Sequence, residues 1–131
     1  MLWWDAAQVP PRYVSITEHN RQPLAVTVER IENVQRMANG TLRKYVIADK
    51  RKWSTSWDSL PDVTSATVDN KEGGLYIENF YGTTHGAFTL KIMEDAVTGA
   101  EYTVVITEFS KTIKKRGRVA EYDVSITLEE V

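Results

Sequence analysis

Apolar and polar side chains alternate with a period of two over most of this chain. The clearest run places Val124, Ile126 and Leu128 on one face, and similar rows occupy residues 88–92 and 102–106. Successive side chains of a strand point to opposite faces, so this alternation is typical of half-buried antiparallel strands. We therefore expect a mainly β fold, an antiparallel sandwich or flattened barrel.

Composition limits what such a chain can do. Its 131 residues are the size of one domain, so we expect a single domain over residues 1–131. The absence of cysteine excludes disulfides, thiolate metal sites and a thiol nucleophile. The 16 basic and 18 acidic residues nearly balance, which disfavours a globally basic nucleic-acid binder. No apolar run approaches the roughly 20 residues needed to cross a bilayer, so we expect no membrane association.

One helix is expected in the second half of the chain. Residues 69–72, Asp-Asn-Lys-Glu, have the spacing of a capping box, whose first residue bonds the free amides of a helix start. Ile77, Phe80 and Tyr81 then follow at helical spacing and form one apolar face. Gly82 is placed to end the helix. The pattern predicts one α-helix on the flank of the sheet.

The sequence also predicts a long hairpin, which is the most informative feature for the arrangement of the chain. Asn39-Gly40 is a strong signal for a two-residue turn, which would pair Ala38 with Thr41. Opposite charges and apolar residues then meet across the strands, which supports this register. The expected pairs are Val26 with Trp53, Glu29 with Lys50, Arg30 with Asp49, and Val34 with Tyr45.

This hairpin, about residues 24–57, is too long for its own domain. Arms over residues 24–37 and 42–55 would reach roughly 46 Å, whereas a compact domain of this size is about 35 Å across. We expect the outer part to pack on another subunit or protein, unless a bulge near Ile31 folds it back. The hairpin residues expected at such an interface are Val34, Met37, Asn39, Gly40, Leu42 and Tyr45.

The N-terminal segment, residues 1–11, carries two adjacent tryptophans and ends in Val-Pro-Pro. Such an arm either covers its own domain or anchors onto a neighbour, because tryptophan pairs are good interface anchors. Trp3 and Trp4 are therefore added to the candidate interface.

Candidates for catalysis are few. Neither His19 nor His85 belongs to a recognisable catalytic motif, and no metal-ligand or cofactor-binding spacing occurs. We expect no enzyme, no cofactor and no metal; an enzyme using His85 with a nearby Asp or Ser is the alternative.

A cluster of positive charge precedes the last strand. It consists of Lys111, Lys114, Lys115, Arg116 and Arg118. One interpretation is a solvated hairpin tip. The other is a contact with nucleic acid or with an acidic protein, which would make the chain a small all-β binding module.

Part of the chain also resembles a known family. The sequence resembles small tail proteins of long-tailed, siphovirus-type bacteriophages at several places. These are the run over residues 36–57, the following Leu60-Pro61, and the short segments 67–69, 73–74, 80–81 and 86–88. The likeness covers about residues 31–92.

That resemblance implies a tail-tube-like fold, with one flanking helix and a long hairpin that contacts neighbouring subunits. It implies a virion protein, made in the host bacterial cytoplasm, that forms a ring, usually hexameric, of the tail tube or its end. Its partners would be copies of itself, other tail proteins and double-stranded DNA passing through the lumen. We expect Glu29, Glu32 or Asp49 to repel DNA phosphates there.

Overall fold

The computed structural model describes residues 1–93, 95, 97–117 and 120–131; the side chains of residues 45–47 and 115 are outside the description. These described residues form seven strands, a short 3-10 turn and one α-helix. In order these are β1 (Leu2–Asp5), β2 (Arg12–Ser15), β3 (Ala25–Arg36), β4 (Leu42–Pro61), the turn Thr64–Ala66, α1 (Gly74–Thr83), β5 (Phe88–Met93), β6 (Gly99–Lys115) and β7 (Glu121–Glu130).

The strands form one antiparallel sheet in the order β2-β1-β5-β6-β7-β4-β3. The sheet curls, and the segment after β2 reaches back to β4. There the Gln22 amide donates to the Ser56 carbonyl at 2.8 Å, and the Asp58 amide donates to the Asn20 carbonyl at 3.3 Å. The result is a flattened barrel, which confirms the expected fold class: mainly antiparallel β, one helix and a long hairpin.

The core lies on the concave face of this sheet, and α1 packs against that face. Phe80 of the helix contacts Trp3 and Phe88, with ring centroids 5.0 and 4.9 Å apart. Ile77 and Leu90 are completely buried. At about 25 cal/mol per Å² of buried apolar area, these large side chains dominate the stability of the fold. The sequence rows at Val124, Ile126 and Leu128 are buried as expected, with Trp53, Trp57, Leu60 and Val104 beside them.

The expected start and end of the helix are wrong. The helix begins at Gly74 after Gly73, and no side chain caps it. The expected capping residue, Asp69, instead accepts hydrogen bonds from the Thr17 hydroxyl at 2.7 Å and the Glu18 amide at 3.0 Å. Gly82 lies inside the helix rather than after it.

Glycine at position 73 permits a close approach between the start of the helix and the sheet. A Cβ added there would lie 2.6 Å from the Pro61 carbonyl oxygen, closer than any side chain tolerates. The backbone contact thus takes the place of a side-chain cap in positioning the helix.

The inner half of the expected hairpin register is confirmed. Val26 pairs with Trp53, Glu29 with Lys50 and Arg30 with Asp49. A bulge then shifts the register between Ile31 and Glu32, so Val34 faces Lys44 and not Tyr45. The bulge falls where the sequence suggested one, but the ribbon stays extended beyond it.

The expected two-residue turn is also wrong. The Met37 amide donates to the Thr41 carbonyl at 2.7 Å, and the Gly40 amide donates to the Met37 carbonyl at 2.9 Å. The loop therefore has three residues, and Ala38 does not pair with Thr41. Only Gly40 takes a left-handed conformation, with φ of 89°, as in three-residue hairpin loops that end in a glycine.

Candidate subunit interface

Strand β3 is the exposed edge of the sheet. All 12 of its residues are exposed, and within the described sheet it pairs with β4 alone. Along its other side, backbone amides and carbonyls face outward without a strand partner among the described residues. Such an edge is a template for pairing with another chain unless it is blunted or covered.

The hairpin extends well beyond the body of the sheet. β4 pairs with β7 only from Lys52 to Pro61, so its first ten residues, 42–51, are flanked by β3 alone within the described sheet. An isolated two-stranded ribbon is at best marginally stable in water. The ribbon is therefore a structural element that another surface would stabilise.

One face of the ribbon carries exposed apolar side chains among charged ones and continues the core face of the sheet. Val26 lies opposite the buried Trp53, and even-numbered residues of β3 follow it on the same face. Val26 is 55% exposed, Val28 54% and Val34 49%. Leu42, opposite Arg36, is 55% exposed on that face as well. We call this set, Val26, Val28, Val34 and Leu42, the ribbon face.

Four of the charged side chains that lie between the ribbon-face residues form two ion pairs. Arg30 donates to both carboxylate oxygens of Asp49, at 2.7 and 3.3 Å, and Lys44 lies 2.8 Å from Glu32. The hydrogen bond from Arg30 holds the pKa of Asp49 below its usual range, and the same bond raises the pKa of Arg30. These pairs lower the cost of packing this face on an apolar surface. Arg36, on the same face, instead donates to the Gly40 carbonyl.

Most of the hairpin residues predicted for an interface do lie on the protruding part. Val34, Met37, Asn39, Gly40 and Leu42 are all exposed there. Tyr45 belongs to the same ribbon through its backbone pairing with Asn33, but its side chain lies outside the described side chains.

The two tryptophans lie in different environments, and the prediction that Trp3 belongs to the interface is wrong. Trp3 is completely buried in its own domain, because β1 is a strand of the sheet and not a free arm. Trp4 points away from that core and is 38% exposed, with its ring edge-on to Tyr13 at 5.1 Å. Of the pair, only Trp4 remains available to a neighbour.

The basic cluster is partly neutralised within the chain. Lys111 lies 2.6 Å from Glu78 and 4.5 Å above the ring of Tyr122, and Lys114 lies 3.7 Å from Asp123. Arg116 is exposed. The side chain of Lys115 and the whole of Arg118 lie outside the described part of the chain.

The two histidines lie apart from each other. The Nδ1 atom of His19 accepts a hydrogen bond from the Val68 amide at 3.1 Å, which ties two loops together. His85 is exposed in a cleft that Asp5 also lines. The Asp5 carboxylate is already bonded to the Ala7 amide, the Gln8 side chain and the Tyr76 hydroxyl.

Two further observations concern the described ranges only. There, no three acidic or histidine side chains lie close enough together to hold a metal ion. The ten-residue α1 is the sole α-helix in that part of the chain, which contains no helix of the length and apolar character that a membrane crossing requires.

The sequence did not single out Val26 and Val28 as surface residues. Their alternation resembles that of a core strand, and Val26 does face a buried tryptophan. They are exposed because β3 is the edge strand, and α1 packs on Trp3 and beside Pro61, outside the part of β4 that pairs with β3. The signal that could have revealed this is Arg30 and Glu32, which follow them on the same face.

No protein-family model and no curated protein matches this sequence. Among solved structures, the fold matches a chain from the tail of an empty gene transfer agent (GTA) particle, determined by helical refinement with C6 symmetry. The match covers 100% of this chain and 90% of that chain, with a TM-score of 0.61 and 6% sequence identity. At this identity the comparison establishes a shared fold, the fold of a chain from a phage-like particle tail.

Proposed function

We propose that this chain is a structural subunit of the tail of a bacteriophage or phage-like particle, and not an enzyme. The observation that carries the proposal is the match of the whole chain to a tail protein from a C6-symmetric assembly. The exposed ribbon is independent support, since in the described sheet no third strand flanks residues 42–51. The resemblance of residues 31–92 to siphovirus-type tail proteins points in the same direction.

In this proposal six copies form a closed ring. Ring closure requires two different surfaces on each subunit that meet head to tail. The ribbon face, together with Met37 and the loop at Asn39-Gly40, is one of them. It packs on the neighbouring copy and gains the apolar burial that a single subunit cannot give it. Trp4 lies on the outer side of the sheet and is a candidate for the second surface.

The ring would belong to the tail tube or to its end, and double-stranded DNA would pass through it. In a virion such a subunit would also contact other tail proteins. The idea that acidic residues repel DNA in the lumen is weakened for Glu32 and Asp49, because Lys44 and Arg30 neutralise them. Glu29, on the opposite face of β3, remains a candidate.

The alternative, a binding module that uses the basic turn, has less support. Lys111 and Lys114 each have an acidic partner within the chain. Each ion pair would have to be given up or shared before the lysine could contact phosphate.

Native mass spectrometry of the purified chain over a range of concentrations tests the ring. We expect a hexamer or a multiple of it. Val28→Asp places a charge on the ribbon face and should shift the population to monomer. Thr27→Asp is the matched control, because Thr27 points to the opposite face of the same strand. A strict monomer at every concentration, or equal effects of both variants, would contradict the proposal.

A further inference from the structure

The loop at the hairpin tip contains a chemically reactive pair of residues. Asn39 and Gly40 are both exposed, and a Cβ built on Gly40 would meet no atom within 4 Å. Glycine has no side chain that could shield its backbone nitrogen, and the space beside Gly40 is open to water.

The loop also holds the Asn39 side chain over the peptide that follows it. Its Oδ1 atom accepts a hydrogen bond from the Thr41 amide at 3.0 Å. This bond spans the Gly40 peptide, so the carboxamide carbon is folded toward the Gly40 nitrogen. The same bond polarises the carboxamide C=O, as an attack on its carbon requires.

The charged groups at the tip are arginines. The Arg36 guanidinium donates to the Gly40 carbonyl at 2.8 Å, and Arg43 lines the same depression as Asn39. Positive charge beside the Gly40 peptide favours the anion formed when its nitrogen loses a proton. Opposing this, the Gly40 amide must first release the Met37 carbonyl, which it contacts at 2.9 Å.

We propose that Asn39 is a site of spontaneous, non-enzymatic modification that converts it to isoaspartate and aspartate. The Gly40 nitrogen attacks the Asn39 side-chain carbon and loses its proton. The new N–C bond closes a succinimide ring, and the carboxamide nitrogen leaves as ammonia. Water then opens the ring at either carbonyl, which yields isoaspartate or aspartate.

The product changes the hairpin tip in two ways. Both forms add a negative charge to a tip whose charged side chains are Arg36 and Arg43. Isoaspartate also adds a methylene to the backbone of a loop that is closed by the pairing of Met37 with Thr41. In the free subunit the modification requires only the loop, so the proposal does not rest on the formation of a ring.

The test is a time course on the purified full chain at pH 6 and pH 8, read by peptide mapping with mass spectrometry. The chain supplies internal comparisons, because its four other asparagines, Asn20, Asn33, Asn70 and Asn79, are each followed by a residue with a side chain. We expect Asn39 to convert first, several-fold faster than any of the four, and faster at pH 8. Asn39→Gln should abolish the early product.

Conversion of Asn39 no faster than the other asparagines would overturn the proposal. So would an early product that persists in Asn39→Gln. The circular dichroism spectrum of the variant shows whether the fold is retained, and the unmodified chain provides the rate comparison by itself.

Discussion

Asp69 links two loops through hydrogen bonds, whereas its sequence neighbours suggested that it caps a helix. It connects the loop before α1 to the segment after β2, through the Thr17 hydroxyl and the Glu18 amide. Burial would raise the pKa of Asp69, but hydrogen bonds from Glu18, Thr17 and Lys71 together hold it below its usual value. The folded state therefore favours the charged carboxylate.

This lowered pKa predicts a pH-dependent contribution to stability. A carboxylate whose pKa is lower in the folded state stabilises it fully above the unfolded pKa of about 4, and the contribution is lost as the pH falls through the folded value. Asp69→Asn should reduce the free energy of unfolding by about 1–2 kcal/mol at neutral pH. The difference from the natural chain should shrink below about pH 4.

Urea unfolding of both chains at several pH values measures this difference. Asp58→Asn is the control, because Asp58 is exposed and bonds the Gln22 side chain at the surface. Its effect should stay within about 0.5 kcal/mol. A loss from Asp69→Asn that does not change with pH would show that charge is not the cause.

Trp3 marks the limit of sequence reasoning at this scale. Two adjacent tryptophans before a Pro-Pro pair fit a covering strand and an anchoring arm equally well. The distinction depends on Phe80 and Phe88, which form the surroundings of Trp3 and lie far along the chain. Residue type thus predicted that Trp3 would be buried, but it did not show whether the burial is in its own domain or against a neighbour.

Among the elements, the hairpin was the most predictable from sequence. Charge pairs such as Arg30 with Asp49 determine its inner register, because each partner is visible in the sequence. The outer register depends on the bulge after Ile31 and on the three-residue loop, and each changes the pairing by one residue. Local residue types allow either loop length at Asn39-Gly40, so the sequence alone does not distinguish them.

A matched pair of valines tests whether the ribbon face stabilises the single subunit or its contact with a neighbouring copy. Val104→Ala removes atoms from a fully buried site and should cost about 2 kcal/mol of unfolding free energy. Val28→Ala makes the same change at a site 54% exposed and should cost less than about 0.5 kcal/mol in the isolated subunit.

Urea denaturation of the monomer provides the first comparison, and the concentration needed for assembly provides the second. Val28→Ala should raise that concentration, whereas Val104→Ala should act mainly through stability. Similar costs for both substitutions in the monomer would mean that the ribbon face is already covered within one chain.

At the scale of the whole molecule, the strand order predicts a gradient of backbone protection. β7 lies between β6 and β4 and is paired on both sides, whereas β3 has β4 on one side only. In the free subunit, amides of β7 should exchange slowly with solvent, and outward-facing amides of β3 should exchange fast. Assembly should slow the β3 amides and leave β7 unchanged.

Hydrogen exchange on free and assembled protein measures this gradient. Slow exchange of the outward β3 amides in the free chain, or no change on assembly, would contradict the assignment of β3 as a subunit interface.

The fold class could be predicted because the period-two pattern recurs in every long strand. The strand order could not, since it requires β1 to pair with β5 across more than eighty residues of sequence, as Trp3 does with Leu90. The exposure of the outer hairpin could be predicted from its length, whereas the exposure of its base at Val26 and Val28 depended on that order.

The length of β4 determines how a mechanical force on the hairpin would pass into the rest of the molecule. β4 is one strand of 20 residues, from Leu42 beside the hairpin tip to Pro61 beneath the start of α1, and its pairing shifts register opposite Ile31 and between Trp57 and Leu60. A pull on the tip along the strand is therefore carried by covalent backbone into the core. There it acts in shear on the whole row of bonds to β7 at once, so the ribbon and the body of the subunit resist tension as one mechanical unit.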